Sequence, residues 1–124
     1  MRGIRQARGS RARASGRRAE VWCALWLMAK GYRILGFRLR TPQGEVDILA
    51  LKAGVVVVVE IKRRTTLAAA IEAVSRRQRE TLLRVAHGFA ATRRGLPDAT
   101  VRLDLIALAP GRAPRHIRDA WRLD

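Results

Sequence analysis

The residues of this sequence that could carry out chemistry are acids and one lysine at strand-like spacing. Glu60 and Lys62 lie two positions apart, directly after the apolar run Val55–Val59. Because strand side chains alternate between the two faces, Glu60 and Lys62 leave the same side of a sheet. A carboxylate that emerges from a buried strand is costly to desolvate unless it is paired or binds something. An acid followed on the next strand by acid-x-lysine is typical of a metal-dependent phosphodiesterase centre.

A second acid, Asp47, lies one predicted strand upstream of Glu60. If the intervening loop is Ala53-Gly54, the hairpin register places Asp47 directly opposite Glu60, and a four-residue loop keeps that register. A loop of odd length would send the two acids to opposite faces of the sheet. Directly opposed side chains have Cβ atoms roughly 4.5–5.5 Å apart, at which distance like charges repel. The even register therefore predicts a compensating cation between the two carboxylates.

Mg²⁺ suits such a site because it prefers hard oxygen ligands and few protein carboxylates. A metal ion lowers the pKa of a bound water and stabilises charge on a scissile phosphate. Lys62 would position the attacking water and offset the charge of the oxyanion. Glu20 is a further candidate acid, which either faces the sheet beside Leu27 or is favoured simply by the dipole of its helix. Glu45 is interpreted as a surface acid that flanks a turn.

Hydrophobic periodicity and turn residues predict the elements that position these side chains. We predict a helix over Arg17–Lys30 that Gly31 ends, and a second helix from Leu67 to about Arg93 that is closed by Gly95-Leu-Pro97. The predicted strands are Tyr32–Arg40, Glu45–Leu51, Val55–Arg63 and Val101–Leu108, with a short strand or turn in His116–Trp121. The order α-β-β-β-α-β predicts an α/β fold with a mixed sheet that helices cover.

Composition limits the class of protein and of partner. The 124 residues suffice for one domain, which we place at residues 17–124 after a flexible basic arm of residues 1–16. The net charge of +16 and the pI near 11.9 predict a polyanionic partner, with nucleic acid ahead of an anionic membrane surface. The lone Cys23 excludes an internal disulfide and suits a cytoplasmic location. Neither a secretory signal nor an apolar run of membrane-spanning length is present in the sequence.

Several further side chains are assigned by their surroundings in the sequence. Cys23 lies in an apolar helical stretch and is expected in the core. Asp104 alternates with apolar residues and is expected to pair with an arginine. Neither His87 nor His116 is given a ligand role. For the apolar surface of helix one, burial against the sheet is preferred over a role in a dimer interface, and this surface comprises Trp22, Trp26 and Met28.

Four short blocks, in this order, resemble the YraN family of small bacterial proteins, and two further ones agree with it. The four are Gly16-Arg-Arg-Ala-Glu20, Gly31-Tyr-Arg-Ile-Leu35, Gly44-Glu-Val-Asp47-Ile-Leu-Ala50 and Val59-Glu60-Ile-Lys62-Arg-Arg64, and the two are Ala73-Val74 and Arg102-Leu-Asp104-Leu-Ile106. The resemblance covers about residues 16–121. That family is similar to the archaeal Holliday-junction resolvases and to the restriction-endonuclease-like PD-(D/E)xK nucleases.

The resemblance implies a three-layer α/β/α fold with a mixed central sheet, and Mg²⁺ or Mn²⁺ as cofactor. It implies that Asp47, Glu60 and Glu20 bind the metal and that Lys62 is catalytic. Candidate nucleic-acid contacts are Arg63, Arg64, Arg76, Arg77 and Gln78. The sequence departs from the family pattern at Gln78, where a lysine is common in these proteins, and at Phe37, where a polar residue is common.

The leading functional hypothesis is a metal-dependent endonuclease that hydrolyses DNA phosphodiester bonds, with selectivity for branched or flapped DNA as one option. The alternative is a non-catalytic nucleic-acid-binding module on a nuclease fold. A ribosome- or RNA-associated basic protein ranks last because it gives no reason for the acids. DNA is favoured over RNA, no membrane partner is expected, and a homodimer is left open because resolvase-like enzymes usually work as dimers.

Overall fold

The computed structural model describes residues 17–93 and 100–122. The predicted basic arm, residues 1–16, and the predicted stop Gly95-Leu-Pro97 lie outside the described residues. Helix α1 covers residues 17–29. The remaining elements are β1 (Arg33–Thr41), β2 (Gly44–Lys52), β3 (Val55–Arg63), α2 (Leu67–Glu72), α3 (Arg76–Thr92), β4 (Thr100–Leu108) and β5 (Arg115–Ile117). No helix within this described part of the chain has the length and apolar character needed to cross a membrane.

The described strands form one mixed sheet of five strands in the order β1-β2-β3-β4-β5. Strands β3 and β4 are parallel, and the other neighbours are antiparallel. Buried side chains of α1, including Cys23 and Leu27, pack on one face of the sheet. Buried side chains of α3, including Leu82 and Ala86, pack on the other face, where Ala70 of α2 also lies. The expected α/β layering around a mixed sheet is confirmed.

Strand β3 is buried on both faces because β2 and β4 flank it and helices cover it. Val56 and Val58 belong to the α3-side core, whereas Val57 and Val59 belong to the α1-side core. A run of β-branched residues fits this environment, because every position faces apolar side chains. The predicted bounds of β3 are confirmed.

The β2–β3 hairpin has the predicted two-residue loop. Ala53 and Gly54 have φ of 51° and 77°, the positive values at both central positions that a type I′ hairpin turn requires. The paired residues run from Lys52 opposite Val55 to Ile48 opposite Val59. This is the even register on which the facing acids depend.

The prediction of one continuous helix from Leu67 to Arg93 is wrong. The chain leaves the helix after Glu72 and starts a new one at Arg76. The Ser75 hydroxyl caps α3 by accepting a hydrogen bond from the Gln78 backbone N–H at 3.1 Å. A serine at this position favours a helix start, but the apolar periodicity continues across the break because Val74 is also buried.

Gly31 stops helix α1 as predicted, but the outward-facing side chains of the helix are more exposed than expected. Gly31 has a φ of 92°, and the backbone N–H of Tyr32 reaches the Leu27 carbonyl at 3.0 Å, as in a Schellman motif. Burial of the whole apolar surface is wrong, because Trp22 is 66% and Met28 55% exposed. The helix contacts the sheet along one stripe only, so residues elsewhere on its circumference stay exposed.

Candidate active site

The carboxylate of Asp47 lies against the segment that holds Glu60 and Lys62. Asp47 Oδ2 accepts a hydrogen bond from the backbone N–H of Ile61 at 2.9 Å. Lys62 Nζ lies 3.4 Å from Glu60 Oε1, which confirms that these two side chains leave the strand on the same side. Glu60 is only 5% exposed although it carries a carboxyl group. The structure therefore brings three of the predicted site residues together.

The two carboxyl groups of the site perturb each other. Burial first, and then the charge of Asp47, raise the pKa of Glu60 to about 7, although the charge of Lys62 opposes the shift. Burial also raises the pKa of Asp47, opposed by the hydrogen bond from Ile61. Two adjacent carboxylates resist ionising together, and a bound cation would offset their repulsion.

The strands that carry the site are irregular at this point. Val46 packs in the α3-side core and Ile48 in the α1-side core, although residues two apart on a regular strand share a face. On the neighbouring strand, Arg38 has a φ of 51°, a conformation that costs a non-glycine residue about 1–2 kcal/mol. Backbone irregularities of this kind re-aim side chains and occur next to functional sites.

Helix α1 contributes Glu20 to a cavity beside Asp47. The cavity has a volume of about 270 Å³, and Glu20, Arg38 and Asp47 are among the residues that line it. Glu20 faces inward, which was one of the two alternatives that the sequence left open, and it forms an ion pair with Arg38. The sequence analysis did not predict Arg38. The one available signal was indirect: an acid that faces inward needs a cationic partner.

The donor set suits a divalent cation held by two carboxylates. Asp47 and Glu60 offer hard oxygen atoms, and Mg²⁺ is commonly bound through one or two protein carboxylates. Within residues 17–93 and 100–122, no three His, Cys, Asp or Glu side chains converge closely enough to hold a metal ion. The Glu20 carboxylate is directed to Arg38 instead, so the structure does not bring it together with the Asp47–Glu60 pair as a third ligand.

The predicted nucleic-acid contacts are distributed over several parts of the surface. Arg63 and Arg64 line different cavities, and Arg76 lines another. Arg77 and Gln78 share a groove with Glu45. The side chain of Glu45 is 72% exposed and pairs with Arg40 at 2.9 Å, which confirms it as a surface acid.

Asp104 is the centre of a second, buried polar cluster. Its carboxylate accepts hydrogen bonds from Arg102 Nε at 2.7 Å and from the Asp119 backbone N–H at 3.0 Å, and His116 Nε2 lies 2.7 Å from Oδ2. Arg102 also donates to the Tyr32 hydroxyl at 2.8 Å. Burial alone would raise the pKa of Asp104, but the hydrogen bonds from His116, Arg102 and Asp119 outweigh it and lower that pKa. The expected arginine partner is confirmed, whereas the contact with His116 was missed.

Comparison with known proteins assigns the chain to a family. The model of an uncharacterised protein family, UPF0102, matches residues 19–108. The chain belongs to the UPF0102 family. This confirms the resemblance to the YraN group of small bacterial proteins. The region that matches the UPF0102 model contains Glu20, Asp47, Glu60, Lys62 and Asp104.

Related UPF0102 proteins cover nearly the whole chain. A UPF0102 protein of Caulobacter sp. (strain K31) is 67% identical over 117 residues, which are 94% of this chain and 84% of the relative. A UPF0102 protein of Paramagnetospirillum magneticum is 44% identical over 117 residues, with 91% of each chain covered. One from Maricaulis maris is 43% identical over 110 residues, 89% of this chain and 87% of the relative.

Proposed function

We propose that this UPF0102 protein is a metal-dependent endonuclease that hydrolyses DNA phosphodiester bonds. The observation that carries the proposal is the Asp47–Glu60 carboxyl pair, in which Glu60 is buried and Lys62 Nζ lies 3.4 Å from the Glu60 carboxylate. Burying a glutamate at the end of a core strand, next to a second carboxyl group, costs stability. Proteins accept this cost at catalytic sites, where perturbed ionisable groups are concentrated.

Each residue of the site has a defined part in this reaction. Asp47 and Glu60 would hold Mg²⁺ or Mn²⁺, which when bound supplies a Lewis acid and lowers the pKa of water. The Ile61 N–H fixes the orientation of the Asp47 carboxylate through its 2.9 Å hydrogen bond. Lys62 carries the charge that offsets the developing negative charge on the phosphate and orients the attacking water.

The charge of the chain supports DNA as substrate. A net charge of +16 attracts a polyanion, and the arginines that follow Lys62 are exposed beside the site. Selectivity for branched or flapped DNA is the finer part of the proposal, and it rests on the resemblance to junction resolvases.

The test is cleavage of DNA by the purified full chain in Mg²⁺ or Mn²⁺. Duplex, four-way junction, flapped and single-stranded DNA are compared, with Glu60→Gln as the site variant and Glu45→Gln as the matched control. Glu45 is an exposed acid on the same hairpin. We expect cleavage that Glu60→Gln abolishes and Glu45→Gln leaves intact. Failure to cleave any substrate, or cleavage unchanged in Glu60→Gln, contradicts the proposal.

A non-catalytic nucleic-acid-binding module is the second candidate. The ion pair between Glu20 and Arg38 favours it, because this pair commits the helix-one acid to an arginine. Calorimetric titration with Mn²⁺ separates the two candidates. Mn²⁺ binding that is lost in Asp47→Asn and in Glu60→Gln supports the endonuclease. DNA binding without Mn²⁺ binding supports the module.

A further inference from the structure

A cavity separate from the acidic pair lies between α1 and the carboxyl ends of β3 and β4. Its volume is about 450 Å³, within the range of about 300–1,000 Å³ that ligand sites occupy. Trp22 and Trp26 line it from α1, and Leu108 and Pro110 line it from the end of β4. These mostly apolar walls suit a flat aromatic ligand better than a hydrated ion.

The two indole rings of the cavity differ in what holds them. Trp26 already contacts Lys30, whose Nζ lies 4.6 Å from the ring centroid, and the His116 ring, whose centroid lies 6.0 Å away at a 66° interplanar angle. These contacts fix Trp26 in place as a wall of the cavity. Trp22 is 66% exposed, so its ring is available for stacking.

Arginines from two elements line the same cavity. Arg18 comes from α1 and Arg63 from the last position of β3, and both side chains are exposed. Arg63 follows Lys62 directly in the chain, so the cavity and the acidic pair lie at the same end of β3. Cationic groups beside exposed aromatic rings are the combination by which proteins bind single-stranded nucleic acid.

We propose that this cavity binds an unpaired nucleobase of DNA, stacked on Trp22, while Arg18 and Arg63 contact the flanking phosphates. This inference rests on the proposed function in taking DNA as the partner. The net charge of +16 favours a polyanionic occupant over a second copy of the chain, which would carry the same charge. A base held here would place a single-stranded segment at the same end of β3 as the acidic pair, so that unpaired DNA would be bound near the site without entering it.

The test compares single-stranded and duplex binding by the full chain in EDTA, where no cleavage occurs. Fluorescence anisotropy is measured with a labelled thymidine oligonucleotide and with a duplex of equal length. We expect Trp22→Ala to weaken single-strand binding about 5- to 150-fold, the change that corresponds to about 1–3 kcal/mol for one stacked base. Duplex binding should be unchanged, and Trp22→Phe should retain most of the single-strand affinity. The matched control is Leu25→Ala, which removes a 57% exposed side chain of the same helix.

Equal loss of single-strand and duplex binding in Trp22→Ala overturns the inference. An equal effect of Leu25→Ala on single-strand binding also overturns it. A dimer in sedimentation equilibrium that both variants dissociate overturns it as well, because the surface would then be a self-association site. A parallel cleavage assay in Mn²⁺ separates this inference from the proposed function. If the protein cleaves flapped DNA but its single-strand affinity does not depend on Trp22, the proposed base-binding role of the cavity is wrong and the endonuclease proposal stands. If single-strand binding depends on Trp22 but no DNA is cleaved, the endonuclease proposal is wrong and the base-binding role of the cavity stands.

Discussion

Asp47 accepts a hydrogen bond from the backbone N–H of Ile61, the residue between Glu60 and Lys62, at 2.9 Å. The side chain of Asp47 on β2 is thereby bonded to the backbone of β3 next to Glu60. The regular pairing of β2 and β3 runs as far as Ile48 and Val59, and the Asp47 side chain continues the connection beyond it. The contact fixes the position of both neighbouring site residues.

Replacing Lys62 by methionine should reduce DNA cleavage about 100- to 1,000-fold, the loss typical when one electrostatic group that stabilises a transition state is removed. Binding of DNA should change little, because one positive charge among 26 basic residues is removed. Single-turnover cleavage in Mn²⁺ and anisotropy in EDTA measure the two effects. Lys52→Met is the control, since it removes the same charge from the far end of the hairpin. Equal loss of cleavage in both variants would contradict the role of Lys62.

Replacing Glu60 by glutamine should stabilise the metal-free protein at pH 8. The folded-state pKa of Glu60 is about 7, against about 4.3 for an unfolded glutamate. Between these values the folded state binds a proton that the unfolded state lacks, so stability falls as pH rises from about 4.3 and is lowest above 7. We expect a gain of about 1–3 kcal/mol in the free energy of unfolding at pH 8 and a smaller gain at pH 5. Urea denaturation at both pH values checks this, and a loss of stability at pH 8 would contradict it.

Replacing Asp104 by alanine should destabilise the protein by about 3–5 kcal/mol at pH 7, because partners of a buried charge are left uncompensated. The pKa of Asp104 is lowered in the folded state, so its stabilising contribution is complete above the unfolded value of about 3.9 and is lost as pH falls through the folded value. The acid side of the stability profile should therefore flatten in Asp104→Asn. Asp119→Asn changes an exposed acid whose backbone N–H donates to Asp104, and an equal effect on the profile would contradict the assignment to Asp104.

Two glycine substitutions should have opposite signs. Gly31→Ala places a Cβ on a residue with a φ of 92°, which should cost about 1–2 kcal/mol. Gly88→Ala adds a Cβ inside α3 with nothing within 4 Å, which should stabilise the helix by about 0.5–1 kcal/mol. Urea denaturation of both variants measures the difference. A stabilising Gly31→Ala would show that the turn after α1 relaxes to another conformation.

Local patterns were sufficient for much of the fold. The valine run predicted β3 with its observed bounds because burial on both faces selects β-branched residues at every position. Ala53-Gly54 set the hairpin register because only a few conformations close a two-residue loop. The split between α2 and α3 was missed because Val74 continues the apolar periodicity between the end of α2 and the start of α3, which Ser75 caps.

By itself, the sequence determined that Glu60 and Lys62 share a side of β3, and it predicted the hairpin register that brings β2 alongside them. Strand alternation and turn geometry are local properties that neighbouring residues impose. Tertiary structure alone decided that Glu20 pairs with Arg38, that His116 contacts Asp104, and that Trp22 stays exposed beside Arg63. Each of these contacts depends on how α1 and the last strand pack on the sheet, and packing between distant segments leaves no periodic signal in the chain.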